Sequence, residues 1–351
     1  MKRAVLIPLL LAACQPVDFD FDLDLSGLEP GPIHGEYDAV TFSLVDGCPD
    51  GNFLFGCPKT MPPFAIGSRA RLVIGSTSGV PEDDERLANA IFKTSNARAV
   101  SVARDADGFV VIEGLAEGVS DVEIDDADGT LIDAVRIEVE PIVRLEGDTS
   151  TMILEGARLA AGVLATGSSG RHLFAHGAVV ATLSGIDLDS DPSGFFNRSD
   201  QVVIRTERVT APDTGGETQP TEAIASRRSA HITWSASSGS VETSVAYSIV
   251  ERDDITSAKV AELWHDPGAY KQTLNADVKV GDTYVRGGPA CEWRVVSGGG
   301  DGAAIATGAG DDTHSDWAFF NLALVYGEGD TTIECRVNNR VAEQLTVHLG
   351  P

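Results

Sequence analysis

The sequence predicts an all-β chain of sandwich domains in tandem. Three observations carry this. From Glu36 onward no 3.6-residue apolar spacing is sustained; short β-branched and aromatic runs recur instead. Examples are Val40-Thr41-Phe42-Ser43-Leu44-Val45, Val100-Ser101-Val102, Phe109-Val110-Val111-Ile112, Val202-Val203-Ile204, His231-Ile232-Thr233-Trp234 and Leu345-Thr346-Val347-His348-Leu349. Turn signals such as Asp107-Gly108 and Asp128-Gly129 lie between them. Finally, about 315 residues of strand-like sequence exceed one ordinary sandwich of about 100 residues, so three domains fit the length.

The chain opens differently. Met1-Lys2-Arg3 is a short positive start, and residues 4–13 are apolar apart from Pro8. This is the layout of a secretory signal. At about ten residues the run is roughly half of what a helix needs to cross a bilayer. Its ending, Leu11-Ala12-Ala13-Cys14, resembles the lipobox of bacterial lipoproteins. The resemblance implies a signal peptide over residues 1–13 and a lipidated Cys14 at the mature N-terminus. It also implies an anchor of three acyl chains, and two or more chains hold a protein stably on a membrane. Gln15 follows the cysteine; in the sorting rule of that family, a residue other than Asp there points to the outer membrane.

Residues 14–35 read as lipidated Cys and acidic tether. Val17 to Leu25 alternates apolar and acidic residues, which is a strand signature, but it lies between the anchor and Glu29-Pro30-Gly31-Pro32. The chain has five cysteines. With Cys14 assigned to lipid, Cys48, Cys57, Cys291 and Cys335 form an even set, which suggests disulfides in an oxidising compartment. Three connectivities satisfy four cysteines; nearness in sequence favours Cys48 with Cys57 and Cys291 with Cys335.

Residues 36–140 form the first expected sandwich, with Glu82 to Ala90 as one short helical turn. Residues 64–140 resemble bacterial Ig-like domains of group 2. Ile66-Gly67-Ser68-Arg69-Ala70-Arg71-Leu72 matches the opening strand, and Phe92-Lys93-Thr94-Ser95-Asn96 stands where the family has Trp-x-Ser-Ser-Asn. Ala99-Val100-Ser101-Val102 matches the next strand, and Gly108 to Gly118 matches a glycine-rich hairpin. The resemblance implies that Phe92 replaces the family's Trp as the buried plug between sheets.

Pro141 ends that domain, and residues 141–251 form a middle sandwich with a polar insert, Thr210 to Glu222. The charged break Glu251-Arg252-Asp253-Asp254 precedes the last sandwich, residues 252–351. There, Lys279-Val280-Gly281-Asp282 resembles the opening strand of the same family, Trp293 to Gly298 its Trp strand and Gly329 to Val337 a late strand. Cys291 stands two residues before Trp293, so its bridge joins different strands from the antibody disulfide.

Composition narrows the partners. The formal charge is −27, and loss of Lys2 and Arg3 with the signal peptide takes it to −29. Such a surface repels nucleic acid and anionic head groups, so membrane contact is expected through the lipid alone. Asp187, Asp189 and Asp191 are the strongest candidate metal ligands, for calcium, because period-two carboxylates aim at one point. An EF-hand loop then needs Gly at its sixth position and an acid at its twelfth. Those positions hold Pro192 and Arg198, so a solvated acidic turn is the favoured reading and no cofactor is expected. His172 and His176 have H-x-x-x-H spacing, but Leu173 stands where zinc peptidases place Glu. Neither G-x-S-x-G nor a P-loop nor G-x-G-x-x-G is present, and Gly298-Gly299-Gly300 reads as a flexible loop. Trp264, Tyr270, Phe319 and Phe320 are the candidates for an exposed anchor patch, against a core role for most of them.

The expectation is a lipid-anchored envelope protein with a structural or adhesive role, not an enzyme. Its partner would be an envelope or extracellular protein or glycan. A calcium-stabilised rod and a hydrolase on a β scaffold are the alternatives.

Overall fold

The computed structural model describes residues 33–44, 61–78, 86–147, 152–189, 199–206, 228–264, 270–288, 290–298, 304–307, 321–339 and 342–350. Cys14, Cys48, Cys57, Asp191, Phe319, Phe320 and the insert Thr210 to Glu222 lie outside them. The fold is all-β, and its described buried residues fall into three clusters.

The first cluster lies between two sheets. One runs, in spatial order, Ile33–His34, Val40–Leu44, Arg69–Ser76, Val110–Gly114 and Val100–Arg104. The other runs Phe64–Ala65, Leu131–Glu140, Gly118–Asp125 and Ile91–Thr94. Phe42, Leu72, Ile112, Ile124 and Ile137 fill the space between. All neighbours are antiparallel except Phe64–Ala65, which runs parallel to Leu131–Glu140. Two antiparallel sheets face to face are the sandwich organisation of Ig-like domains.

Four details differ from the sequence reading. The expected opening strand Ile66 to Leu72 is broken at Gly67, whose φ of 87° suits glycine far better than a residue with a Cβ. There the chain leaves one sheet, after Ala65, and enters the other at Arg69. Gly108 to Gly118 is no hairpin either: Val110–Gly114 and Gly118–Asp125 lie in opposite sheets, so the segment crosses the sandwich. Phe92 is half-buried, with the Arg104 guanidinium 5.0 Å from its ring, because its edge strand packs only one side of the ring on the core. The sheet also begins at Ile33, within the span assigned to the tether, because Ile33 is buried and pairs with Phe42. Of the helical turn expected over Glu82 to Ala90, residues 86–88 are described and helical.

The second cluster is covered on one side by Ile142–Gly147, Arg158–Gly167, Gln201–Thr206 and Ile186–Leu188. On the other side lie Val179–Ser184, Ser229–Ala236, Glu242–Val250 and Met152–Leu154. Ser229–Ala236 shows why the sequence folds this way: Ala230, Ile232, Trp234 and Ala236 alternate inward, and the intervening residues face out.

The third cluster lies between a three-stranded sheet, Glu292–Gly298, Gly329–Arg336 and Ala342–Leu349, and a set of strands continuous with the middle sheet. That set runs from Met152–Leu154 through Thr283–Arg286, Lys271–Val280 and Leu322–Tyr326 to Ala304–Thr307, with Ser257–Trp264 also on Lys271–Val280. The segment Lys279 to Asp282 is a tight hairpin rather than an opening strand. Val280 pairs with Thr283 across Gly281, whose φ is 59°. Cys291 and Cys335 form a disulfide, with Cα atoms 5.2 Å apart. It lies beside the adjacent strands Glu292–Gly298 and Gly329–Arg336, within one sheet.

Candidate functional site

Among the described residues a half-open cleft of about 460 Å³ lies beside Leu131–Glu140. Ligand pockets commonly measure about 300–1,000 Å³ and favour domain interfaces. Three stretches of chain build this one. His34 ends the first strand and Glu36 lies in the turn after it, Met61 and Pro63 come from the approach to Phe64–Ala65, and Arg171 from the middle segment. Asp121, Arg136 and Glu138 stand on the outer face of the sheet behind it.

Two of the walls are held by buried carboxylates, Asp133 and Glu140. The turn bearing Glu36 is held by Asp133, which is fully buried. Its oxygens accept the N–H groups of Tyr37, Ala39 and Val40 at 2.9, 2.9 and 2.8 Å. Arg171 is clamped by Glu138 and by Glu140, the latter at 2.8 Å. Ser169 donates its N–H and its hydroxyl to Glu140, at 2.9 and 2.8 Å. Burial opposes ionisation of Glu140, but the Ser169 donors and the Arg171 guanidinium outweigh it and hold the carboxyl below its ordinary value. Hydrogen bonds to Glu138 and then Glu140 raise the Arg171 value correspondingly.

Arg136 is the more exposed of the two arginines that line the cleft. It is 64% exposed, and its guanidinium approaches Asp121 only to 3.8 Å. His34 contacts Asp38. The cleft therefore offers guanidinium and imidazole donors and carboxylate acceptors over the apolar surfaces of Met61 and Pro63. That is a surface for hydrogen-bonded recognition. The cleft's described lining residues include no Ser, Thr, Cys or Lys.

Other residues singled out by the sequence are placed elsewhere. Asp187 is exposed on Ile186–Leu188, and Asp189 is engaged by Arg158 at 2.5 Å. Among the described residues no group of three His, Cys, Asp or Glu side chains is arranged to hold a metal. The His172 backbone pairs antiparallel with that of Thr166, and His176 accepts the Ser199 N–H at Nδ1, 2.9 Å away. His172 thus lies on extended chain and His176 in a turn, not on one helix face. Tyr270 is 56% exposed, and Trp264 ends the strand Ser257–Trp264. The cleft itself was missed by sequence reading. Its charged groups come from positions as far apart as 34, 136 and 171, and no local spacing links them. No helix among the described residues is long and apolar enough to cross a membrane.

No protein-family model matches the sequence, and no curated protein matches it. Among solved structures the chain is similar to domains 4–9 of the surface layer protein SbsC, at 12% identity and a TM-score of 0.31. That match covers 89% of this chain and 48% of the other, so the chain spans about half the length of the SbsC structure. It is also similar to the N-terminal eight Ig domains of Down Syndrome Cell Adhesion Molecule, at 10% identity and 0.21, covering 89% and 42%. Extracellular cadherin domains 1–4 of Protocadherin Gamma B7 match at 8% and 0.20, covering 83% and 75%. Likeness at these scores says nothing about what the chain does; the fold assignment rests on its own strand pairing, which is that of all-β sandwiches in series.

Proposed function

We propose that the chain is a lipid-anchored cell-envelope protein of the bacterial outer membrane, with tandem sandwiches in a structural or adhesive role. The observation that carries this reading is Leu11-Ala12-Ala13-Cys14 behind a positive start and a short apolar run. The first strand among the described residues begins at Ile33, nineteen residues after Cys14. A stretch of that length reaches at most about 65 Å, enough to hold the sandwiches clear of a lipid surface. The anionic surface supports membrane contact through lipid alone. The cleft beside Arg136 is the candidate contact for a protein or glycan partner.

Fractionation of cells expressing Cys14→Ala tests the anchor. The wild-type chain should sediment with membranes, and the variant should be soluble or remain an unprocessed precursor. Continued sedimentation of the processed variant with membranes would overturn the assignment.

A further inference from the structure

The middle and last sandwiches meet through a strand rather than a hinge. Met152–Leu154 pairs in parallel with Glu242–Val250, Met152 opposite Ser248 and Leu154 opposite Val250. On its other edge it pairs in parallel with Thr283–Arg286, Met152 opposite Val285 and Ile153 opposite Arg286. One short strand therefore lies between the closing strand of one sandwich and a strand of the next. Its side chains divide in the same way. Ile153 is buried in the middle core, while Leu154 is buried in the last core together with Ala157 and Val250. Just beyond, Arg158 and Gly288 exchange both backbone hydrogen bonds, at 3.4 and 3.3 Å.

We propose that the middle and last sandwiches form one force-bearing body, spliced by Met152–Leu154, and that under tension they unfold together. The strand geometry gives the reason. A pull along the chain draws Met152–Leu154 toward its start and Glu242–Val250 toward its end. Because the two are parallel, this slides one past the other and loads their hydrogen bonds at once. In a hairpin the bonds would open one after another. Releasing the last sandwich alone would also require Thr283–Arg286 to leave a strand whose other edge stays in the middle sandwich, and Leu154 and Ala157 to leave the last core.

Single-molecule stretching of the full chain tests this without any substitution. The disulfide locks the loop between Cys291 and Cys335, 44 residues apart. At about 3.5 Å per extended residue, joint release adds about 580 Å of contour, whereas separate release adds about 380 and about 200 Å. One step of the larger size is expected. In the double variant Cys291→Ala, Cys335→Ala, that same step should lengthen by about 150 Å. The first sandwich, residues 33–140, adds its own step of about 380 Å in either case. A further separate step of about 200 Å in the wild-type chain would overturn the proposal, as would the added length of the double variant appearing in a step of its own. If the double variant does not fold, the wild-type step sizes decide alone. The result is independent of Cys14, since the stretched chain needs no lipid.

Discussion

Phe174 lies in the middle segment of the chain but belongs to the first core, where it is fully buried with its ring 5.1 Å from that of Phe64. Ala65 makes the reciprocal move into the middle core. The exchange is fixed by backbone bonds: Ala65 N–H donates to Phe174 O, Phe174 N–H to Pro63 O and Arg69 N–H to His176 O, at 2.9, 2.8 and 2.7 Å. Phe174→Ala should therefore cost about 3–5 kcal/mol, the usual range for a buried Phe. Hydrogen exchange should show lost protection in Leu131–Glu140 and Gly118–Asp125. Loss confined to residues 142–250 would contradict this placement. Glu334 provides a second test at the same scale. It faces away from the core yet is covered: the Gln344 amide and the Arg294 guanidinium, with Arg336, hold its carboxyl down at about 2 against an ordinary 4.5. A folded value below the unfolded one stabilises the fold above pH 4.5 and stops doing so as pH falls toward 2. Thermal melts at several pH values should show wild type more stable than Glu334→Gln near pH 7, with the gap closing toward pH 2. A gap independent of pH would contradict the assignment.

At the scale of elements, the disulfide and the splice show two ways of fixing strands. Cys291–Cys335 closes 44 residues, which in the chain-entropy model is worth about 4 kcal/mol. Denaturant unfolding of the Cys335→Ala variant should lose stability of that order from the last sandwich, with Glu292–Gly298 losing exchange protection. An unchanged midpoint would show that the bridge contributes nothing. Most strands were legible in the sequence. Ser229–Ala236 and Ala342–Leu349 alternate apolar and polar residues because one face of each meets a core. Membership of a particular sheet was not legible. The Gly67 break and the Gly114–Gly118 crossing keep the periodicity of a strand or hairpin, while long-range pairing decides which sheet each half joins. Met152–Leu154 is three residues long, too short to carry any period. The disulfide was legible because four cysteines leave few pairings. The cleft was not, because its walls are brought together only when Asp133 and Glu140 gather distant backbone and Arg171.

For the whole molecule, the three cores are continuous with one another at both joints: by Phe174 and Ala65 at the first, and by Met152–Leu154 at the second. If the proposed role holds, with one end anchored and the other engaging a partner, joints of this kind would transmit displacement along the series. A formal net charge of −27 disfavours contact with anionic lipid, and in the proposed account attachment falls to the N-terminus. Mass spectrometry of the mature N-terminal peptide from membranes of the native host tests that most directly. The account predicts a peptide that begins at Cys14 and carries three acyl chains. A mature peptide with an unmodified Cys14, or one that begins beyond it, would contradict it.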